Sequence, residues 1–96
     1  MLNSDFTWIA STSELLYCNA LVKLTSNEIK FLSGLITAKG SIIQYDKIDE
    51  IVFNKDEYDK KRTINLTTRL RNKIGNNLVE SVYGEGYRIR IDNKHT

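Results

Sequence analysis

Apolar positions alternate with polar ones in the first quarter of the chain and then change to helical spacing. Short alternating runs predict β-strands over residues 6–10, 14–19 and 21–24. The turn-prone segments 11–13 and 19–20 separate these strands. Cys18 falls in the second predicted strand, where we interpret it as a small hydrophobic residue.

Two helices are predicted next. Thr25 and Glu28 have the spacing of a capping box, which marks the start of the first helix. Its apolar stripe consists of Ile29, Leu32, Leu35 and Ile36, and Gly40 is expected to close it. A brief extended link over 41–43 leads to a second short helix over 45–53. The residues that this helix is expected to turn inward are Ile48, Ile51 and Val52.

A third helix is predicted over 61–74, after a polar, aperiodic loop over 54–60. At 100° per residue, placing Leu66, Leu70 and Ile74 inward also brings Thr63 and Thr67 to the buried side. The opposite face is then formed by Lys61, Asn65, Thr68 and Asn72, with Arg62 and Arg69 along one edge and Arg71 along the other. This register turns Ile64 partly outward.

The chain ends in a predicted hairpin. Two alternating runs, 78–83 and 87–91, are joined by Gly84, Glu85 and Gly86, a length that suits a tight turn. We expect Gly86 to have a positive φ and the Tyr87 ring to anchor the hairpin to the core. Strands, three helices and a hairpin predict an α+β fold.

Length and composition exclude several classes of protein. The 96 residues predict one domain over 1–96, and the composition, with 41% hydrophobic and 27% charged residues, is that of a globular protein. One cysteine and one histidine can form neither an internal disulfide nor a tetrahedral zinc site. We find no nucleophile–base pair, metal-ligand set or phosphate-binding loop, so we predict no enzyme activity and no cofactor. No apolar run is long enough for a membrane span and the N-terminus is not a signal peptide, so a cytoplasmic location is predicted.

Charge is concentrated in the C-terminal half. Residues 1–54 carry a net charge of −2 and residues 55–96 a net charge of +4, and the segment 60–73 has six basic residues and no acidic one. Two short helices followed by a basic third helix are the parts of a helix-turn-helix DNA reader. Asn, Arg and Thr can bind base edges in a major groove, and Lys can neutralise phosphate. The alternative is a protein–protein interaction module in which the basic face is merely solvated.

Several segments resemble the winged helix-turn-helix effector domain of the OmpR/PhoB family of bacterial transcription regulators. The resemblance covers about 6–91, and its matching segments are 24–28 with Leu32 and Leu35, 40–53, 69–74 (RLRNKI) and 81–88 (SVYGEGYR). It implies an N-terminal antiparallel sheet, three helices and a C-terminal hairpin, the wing. It also implies that the third helix binds in the major groove and the wing over the adjacent minor groove.

The candidate DNA contacts combine the exposed face with the positions that the resemblance implies. They are Lys61, Arg62, Asn65, Leu66, Thr68, Arg69, Arg71, Asn72, Lys73, Ser81, Tyr83 and Arg88. Arg69 resembles a base-reading or groove-lining arginine, and Thr68 and Arg71 resemble backbone-contacting positions. A one-residue deletion in the alignment would exchange the roles of Asn65 and Leu66. If about six cations meet phosphates, the affinity should fall about a thousandfold between about 50 and 200 mM salt.

The resemblance also implies partners. The domain is expected to be a monomer in isolation and a dimer on DNA, where its two copies occupy direct repeats in a promoter. The loop 54–60 is expected to contact RNA polymerase. Tyr83 occupies the wing position where a basic residue is common, and Glu85 places an acid at the wing tip, so weaker wing contacts are expected. A start at Met1 directly before the predicted sheet, with no receiver ahead of it, suits the ToxR-like branch, in which this module is expected to be the cytoplasmic part of an inner-membrane-anchored regulator; a piece of a longer regulator would look identical.

Overall fold

The computed structural model describes residues 5–53 and 60–90. In chain order its elements are β1 (Phe6–Ile9), β2 (Glu14–Tyr17), β3 (Ala20–Val22), α1 (Ser26–Thr37), β4 (Ile43–Gln44), α2 (Tyr45–Phe53), α3 (Lys60–Ile74), β5 (Val79–Val82) and β6 (Gly86–Ile89). The first three strands form one antiparallel sheet in the order β1-β2-β3, and the other three form a second in the order β4-β6-β5. This is the predicted α+β winged-helix architecture.

The turn between β2 and β3 differs from the prediction. Cys18 and Asn19 both have positive φ values, 50° and 70°, and form a two-residue turn in which Cys18 is exposed. Two consecutive positive φ values are typical of the hairpin turn that matches the twist of antiparallel strands. Cys18 is therefore a turn residue and not part of a strand, which corrects the prediction.

Helix α1 begins as its sequence predicts and ends earlier. The Thr25 hydroxyl accepts from the Glu28 amide at 3.2 Å, and the Glu28 carboxylate accepts from the Thr25 amide at 2.9 Å, so the capping box is complete. The helix ends at Thr37, and Lys39 and Gly40 follow with φ values of 54° and 92°. Gly40 is thus the second of two left-handed residues after the helix end.

Strand β4 belongs to the second sheet, whereas its sequence predicted only an extended link between α1 and α2. Ile43 pairs with Tyr87 and Gln44 with Gly86, so a segment between α1 and α2 becomes the third strand of the sheet. This pairing ties the β5–β6 hairpin, the wing, to the middle of the chain.

One core joins the helices and both sheets. The buried apolar residues are Phe6, Leu15, Phe31, Leu32, Leu35, Ile48, Val52, Leu66, Leu70, Ile74, Leu78, Val79, Tyr87 and Ile89. The expected inward position of Ile51 is wrong, because its side chain is 40% exposed and lies beside Gly34 of α1, outside the buried core. Tyr87 is buried as predicted, with ring centroids 5.7 Å from Phe31 and 5.6 Å from Tyr45, both edge-on. The wing is thereby packed against α1 and α2.

Candidate nucleic-acid interface

The register of α3 gives the domain a polar exposed face. Thr63 and Thr67 are buried with Leu66, Leu70 and Ile74, as the 100° spacing predicts. The exposed residues on the other side include four of the predicted face, Lys61, Asn65, Thr68 and Asn72, together with Ile64 and Arg69. The structure therefore brings the uncharged hydrogen-bonding candidates of the helix together on one surface.

Leu66 is a correction to the candidate set. It is only 3% exposed and lies in the hydrophobic core, so it has no surface to offer a ligand. The resemblance placed it at a contact position, whereas the apolar periodicity placed it inward, and the structure agrees with the periodicity. Asn65, its exposed neighbour, takes the outward position.

Arg62 is held against α2. Its Nη2 donates to Asp49 Oδ2 at 3.1 Å, and its guanidinium carbon lies 5.5 Å from the Phe53 ring centroid. The other Asp49 oxygen accepts from the buried Thr63 hydroxyl at 2.9 Å. The first turn of α3 is therefore bound to a carboxylate of α2 that is only 1% exposed.

Lys73 is held against α1. Its Nζ lies 2.7 Å from Glu28 Oε1 and also donates to the Lys23 carbonyl at 3.2 Å. Burial by itself would raise the pKa of Glu28, but the hydrogen bonds from Lys73 and Thr25 outweigh it and lower the pKa of this carboxyl. The ion pair therefore stabilises the fold above the pKa of an unfolded glutamate, and this contribution is lost as the pH falls.

Arg71 is held against the wing. Its Nη2 donates to the Val79 carbonyl at 2.7 Å and to Ser81 Oγ at 3.0 Å, and its guanidinium lies 5.8 Å from the Tyr87 ring centroid. Two candidate DNA contacts, Arg71 and Ser81, are thus bonded to each other. Three cations of α3, namely Arg62, Arg71 and Lys73, have internal partners that the charge pattern alone did not reveal.

Arg69 differs from these three. Its side chain is exposed, and within the described part of the chain it has neither a hydrogen-bond nor an ion-pair partner. It borders a small recess of about 130 Å³ whose other lining residues are Asn27, Phe53, Arg62, Asn65 and Leu66. Asn27, in the first turn of α1, was not among the candidates. Its sequence position indicates only that it lies next to the capping residues and not that it lies near Arg69. Within residues 5–53 and 60–90, nothing therefore engages the guanidinium of Arg69.

The wing presents an aromatic ring and an acid at its turn. Tyr83 is fully exposed at 100%, and Glu85 is exposed two residues later. Arg88, on the outer side of the wing, donates through Nε to Glu80 at 2.9 Å, and this hydrogen bond lowers the pKa of Glu80. The wing turn itself, 83–85, carries no cation.

Residues 5–53 and 60–90 form neither a metal-binding cluster nor a membrane-spanning helix. No group of three or more His, Cys, Asp or Glu side chains is arranged there to hold a metal ion. No helix in the same ranges is long and apolar enough to cross a membrane. The acids Asp56, Glu57 and Asp59, and the RNA polymerase contact expected of loop 54–60, fall in the segment 54–59, outside the described residues.

A third helix with a polar exposed face, followed by a hairpin that packs beside it, defines a winged helix-turn-helix. The family described as "Transcriptional regulatory protein, C terminal" matches residues 19–89. The chain belongs to this family, the OmpR/PhoB-type DNA-binding domains of transcriptional regulators. Membership confirms the predicted class, a DNA-binding regulator domain that is not an enzyme.

Individual relatives agree with this assignment. The transcriptional regulatory protein CseB of Streptomyces coelicolor is 33% identical over 70 residues, which are 72% of this chain and 30% of that relative. The chain therefore spans less than a third of that regulator. The DNA-binding domain of Bacillus subtilis CssR is 29% identical, with a TM-score of 0.74 and coverage of 88% of this chain and 98% of that chain. The DNA-binding domain of the response regulator AdeR, in complex with an intercistronic region, has the same fold, with 20% identity, a TM-score of 0.80 and coverage of 95% and 99%.

Proposed function

We propose that this domain binds double-stranded DNA at specific sequences for a bacterial transcription regulator, with α3 in the major groove. The observation that carries the proposal is the exposed face of α3, which Asn65, Thr68 and Asn72 share with Arg69, an arginine that no other described residue engages. The AdeR domain, solved with an intercistronic region, supports the same class of partner. The wing lies against the adjacent backbone or minor groove.

The exposed side chains divide into base-reading and phosphate-binding groups. Arg69 has a planar fork that can donate two hydrogen bonds to guanine, and Asn65 can pair with adenine in the same way. Lys61, at the start of α3, carries a flexible ammonium that suits a phosphate. Thr68 donates its hydroxyl to the Ile64 carbonyl at 3.0 Å, so it can offer only its oxygen lone pairs and methyl group to DNA. Asn72 lies farther along the same face.

The wing contributes through Ser81 and Tyr83 in this proposal. The fully exposed Tyr83 ring can pack against sugar and backbone without adding charge. Arg88 shares its charge with Glu80, so it is a weaker phosphate ligand than its position suggests.

Salt dependence provides the first test. Since Arg62, Arg71 and Lys73 are engaged internally, we expect about three phosphate contacts in place of six. The affinity should then fall about fortyfold between about 50 and 200 mM salt, because log K falls by about 0.9 per contact for each tenfold change in salt. A titration over this range by fluorescence anisotropy measures the slope. A slope that corresponds to six contacts would contradict the internal assignment of these cations.

Paired substitutions provide the second test, with a duplex selected by the wild-type domain from a random pool and a scrambled duplex of equal length. Arg69→Ala should weaken binding to the selected duplex by about 1–3 kcal/mol and to the scrambled duplex much less. Lys61→Ala should weaken both alike and reduce the salt slope by about one contact.

The control for these two variants is Lys47→Ala. Lys47 is an exposed residue of α2 that pairs with Glu50, so its loss removes one positive charge away from α3 and the wing. It should leave both affinities close to the wild type. Equal losses on both duplexes for Arg69→Ala would overturn the base-reading role and move it to Asn65 and Thr68.

A protein–protein interaction module is the second candidate, and the wing turn without a cation favours it. Adding the selected duplex to isotope-labelled protein separates the two. A DNA reader shifts the amide resonances of residues 61–73 and 81–88, whereas an interaction module leaves them unchanged.

Partners other than DNA rest on the family resemblance. Two copies would occupy direct repeats, and loop 54–60 would contact RNA polymerase. A domain that reads the bacterial chromosome works in the cytoplasm, so we place it there. The membrane-anchored ToxR-like arrangement stays a prediction, which the gene sequence after Thr96 tests directly.

A further inference from the structure

Arg71 joins α3 to both strands of the wing. One nitrogen, Nη2, donates to the Val79 carbonyl at 2.7 Å and to the Ser81 hydroxyl at 3.0 Å, both in β5. The guanidinium also lies 5.8 Å from the ring centroid of Tyr87 in β6. A single side chain from the last turns of α3 therefore contacts the backbone, a hydroxyl and an aromatic ring of the wing.

The surroundings of Arg71 show that its guanidinium is built into the protein. Its Nε is buried and forms no hydrogen bond, so one edge of the group is enclosed. The Tyr87 ring that it approaches is itself fixed between Phe31 and Tyr45. A guanidinium bound on this side is not free to extend toward a phosphate as an exposed lysine would.

The other attachments of the wing lead to different elements. Strand β4 pairs with β6, and Tyr87 packs against α1 and α2. Few backbone positions of α3 lie close to the wing strands, so side chains form most of the contacts between them. Arg71 spans this distance.

We propose that Arg71 is a positioning residue that fixes the wing relative to α3 and is not a phosphate ligand. The inference rests on the proposed function in one respect, namely that α3 and the wing bind the same DNA duplex. Groove contacts by α3 and contacts by the wing can form together only if their spacing is set beforehand, and a fixed spacing reduces the ordering that binding requires. The resemblance had given Arg71 a DNA-backbone contact, and the structure assigns it a contact within the protein.

The decisive variant is Arg71→Lys, which keeps the positive charge and loses the planar fork. A lysine side chain is shorter and ends in a single nitrogen, so it cannot donate from the Nη2 position and also keep a planar cation over the Tyr87 ring; a positioning role is therefore weakened while a purely electrostatic role is kept. Arg71→Ala removes both, and Ser81→Ala removes one acceptor without a change in charge. Arg69→Lys is the matched control, because it makes the same exchange at an exposed arginine of the same helix.

The first measurement uses the free protein and needs no DNA. We expect amide hydrogen exchange in the wing, residues 79–89, to become about tenfold faster in both Arg71→Lys and Arg71→Ala, because each loses charge-assisted hydrogen bonds. Ser81→Ala should give a smaller increase at the same amides. Amides of α1 should change little, and Arg69→Lys should match the wild type. Unchanged wing exchange in Arg71→Lys would overturn the proposal.

The second measurement is binding to the selected duplex over a range of salt. A positioning role predicts that Arg71→Lys and Arg71→Ala lose affinity about equally, with the salt slope unchanged. A phosphate contact predicts that Arg71→Lys keeps the affinity and that Arg71→Ala lowers the slope by about one contact, which would overturn the proposal. If the wild-type domain binds no duplex, the proposed function fails and the exchange data still decide the role of Arg71. If Arg71→Ala does not fold, Arg71→Lys and Ser81→Ala carry the test.

Discussion

Asp49→Ala is expected to lower the free energy of unfolding by about 3–5 kcal/mol, because it removes one partner of a buried ion pair. The Asp49 carboxylate is 1% exposed and accepts from Arg62 at 3.1 Å and from Thr63 at 2.9 Å. Its removal leaves a partly buried guanidinium without this carboxylate and a fully buried hydroxyl without its acceptor. Since small domains have stabilities of about 5–15 kcal/mol, a loss of this size brings the fold close to its limit. Urea denaturation followed by circular dichroism measures it.

Glu50→Ala on the same helix is the control for this prediction. Glu50 forms an exposed ion pair with Lys47 at 3.4 Å, a kind of contact that contributes at most about 1 kcal/mol. Thr63→Val should lie between the two variants, because it removes the hydroxyl donor and keeps the ion pair of Asp49. A loss below about 1 kcal/mol for Asp49→Ala would show that Arg62 and Thr63 do not depend on this carboxylate.

Local spacing was sufficient to predict the orientation of α3. The 100° rotation per residue placed Thr63 and Thr67 in the interior, against their polar character, and both are buried. Thr67 satisfies its hydroxyl within the helix by donating to the Thr63 carbonyl at 2.8 Å. The capping box at Thr25 was equally predictable, since its donors and acceptors lie within four residues. Features whose interacting residues all lie within one helix can therefore be predicted from its sequence.

The role of each cation could not be predicted in this way. Arg62 pairs with a residue 13 positions away and Lys73 with one 45 positions away. Helical spacing puts Arg69 and Arg71 on opposite edges of the exposed face, but both lie in an acid-free basic segment, so the charge pattern does not show which of them has an internal partner. Only the tertiary arrangement separates an arginine held by the wing from one that has no partner among the described residues. The distinction between positioning and contact residues therefore depends on long-range pairing.

For Leu66 the family resemblance predicted a DNA contact and the apolar periodicity predicted burial, and Leu66 is buried. A family alignment assigns a role to a position whatever residue occupies it. Burial of a leucine side chain on the apolar side of a helix stabilises the fold, so the leucine turns inward. The same limit applies to β4, because residues 43–44 become a strand only through pairing with Tyr87 and Gly86. A two-residue strand has no alternation from which it could be predicted.

Gly86→Ala is expected to destabilise the domain by about 3 kcal/mol or more, at the upper end of the cost of overpacking. The expectation that Gly86 has a positive φ is wrong, because the positive φ in the wing turn, 73°, belongs to Gly84. A Cβ at position 86 would overlap the Ile43 carbonyl oxygen and lie 2.9 Å from the Gln44 Cα. Both atoms are backbone, so no side-chain rotation can relieve the overlap, and β4 must separate from β6.

Gly84→Ala distinguishes the two explanations for this sensitivity. Position 84 has open space around it and a left-handed backbone, so alanine there should cost only about 1–2 kcal/mol. Thermal unfolding of both variants measures the order, and amide exchange at residues 79–89 shows whether the wing has come loose. We expect Gly86→Ala to expose the wing amides and to leave those of α1 protected longer. If Gly84→Ala were the more damaging change, turn conformation and not close backbone approach would be what holds the wing in place.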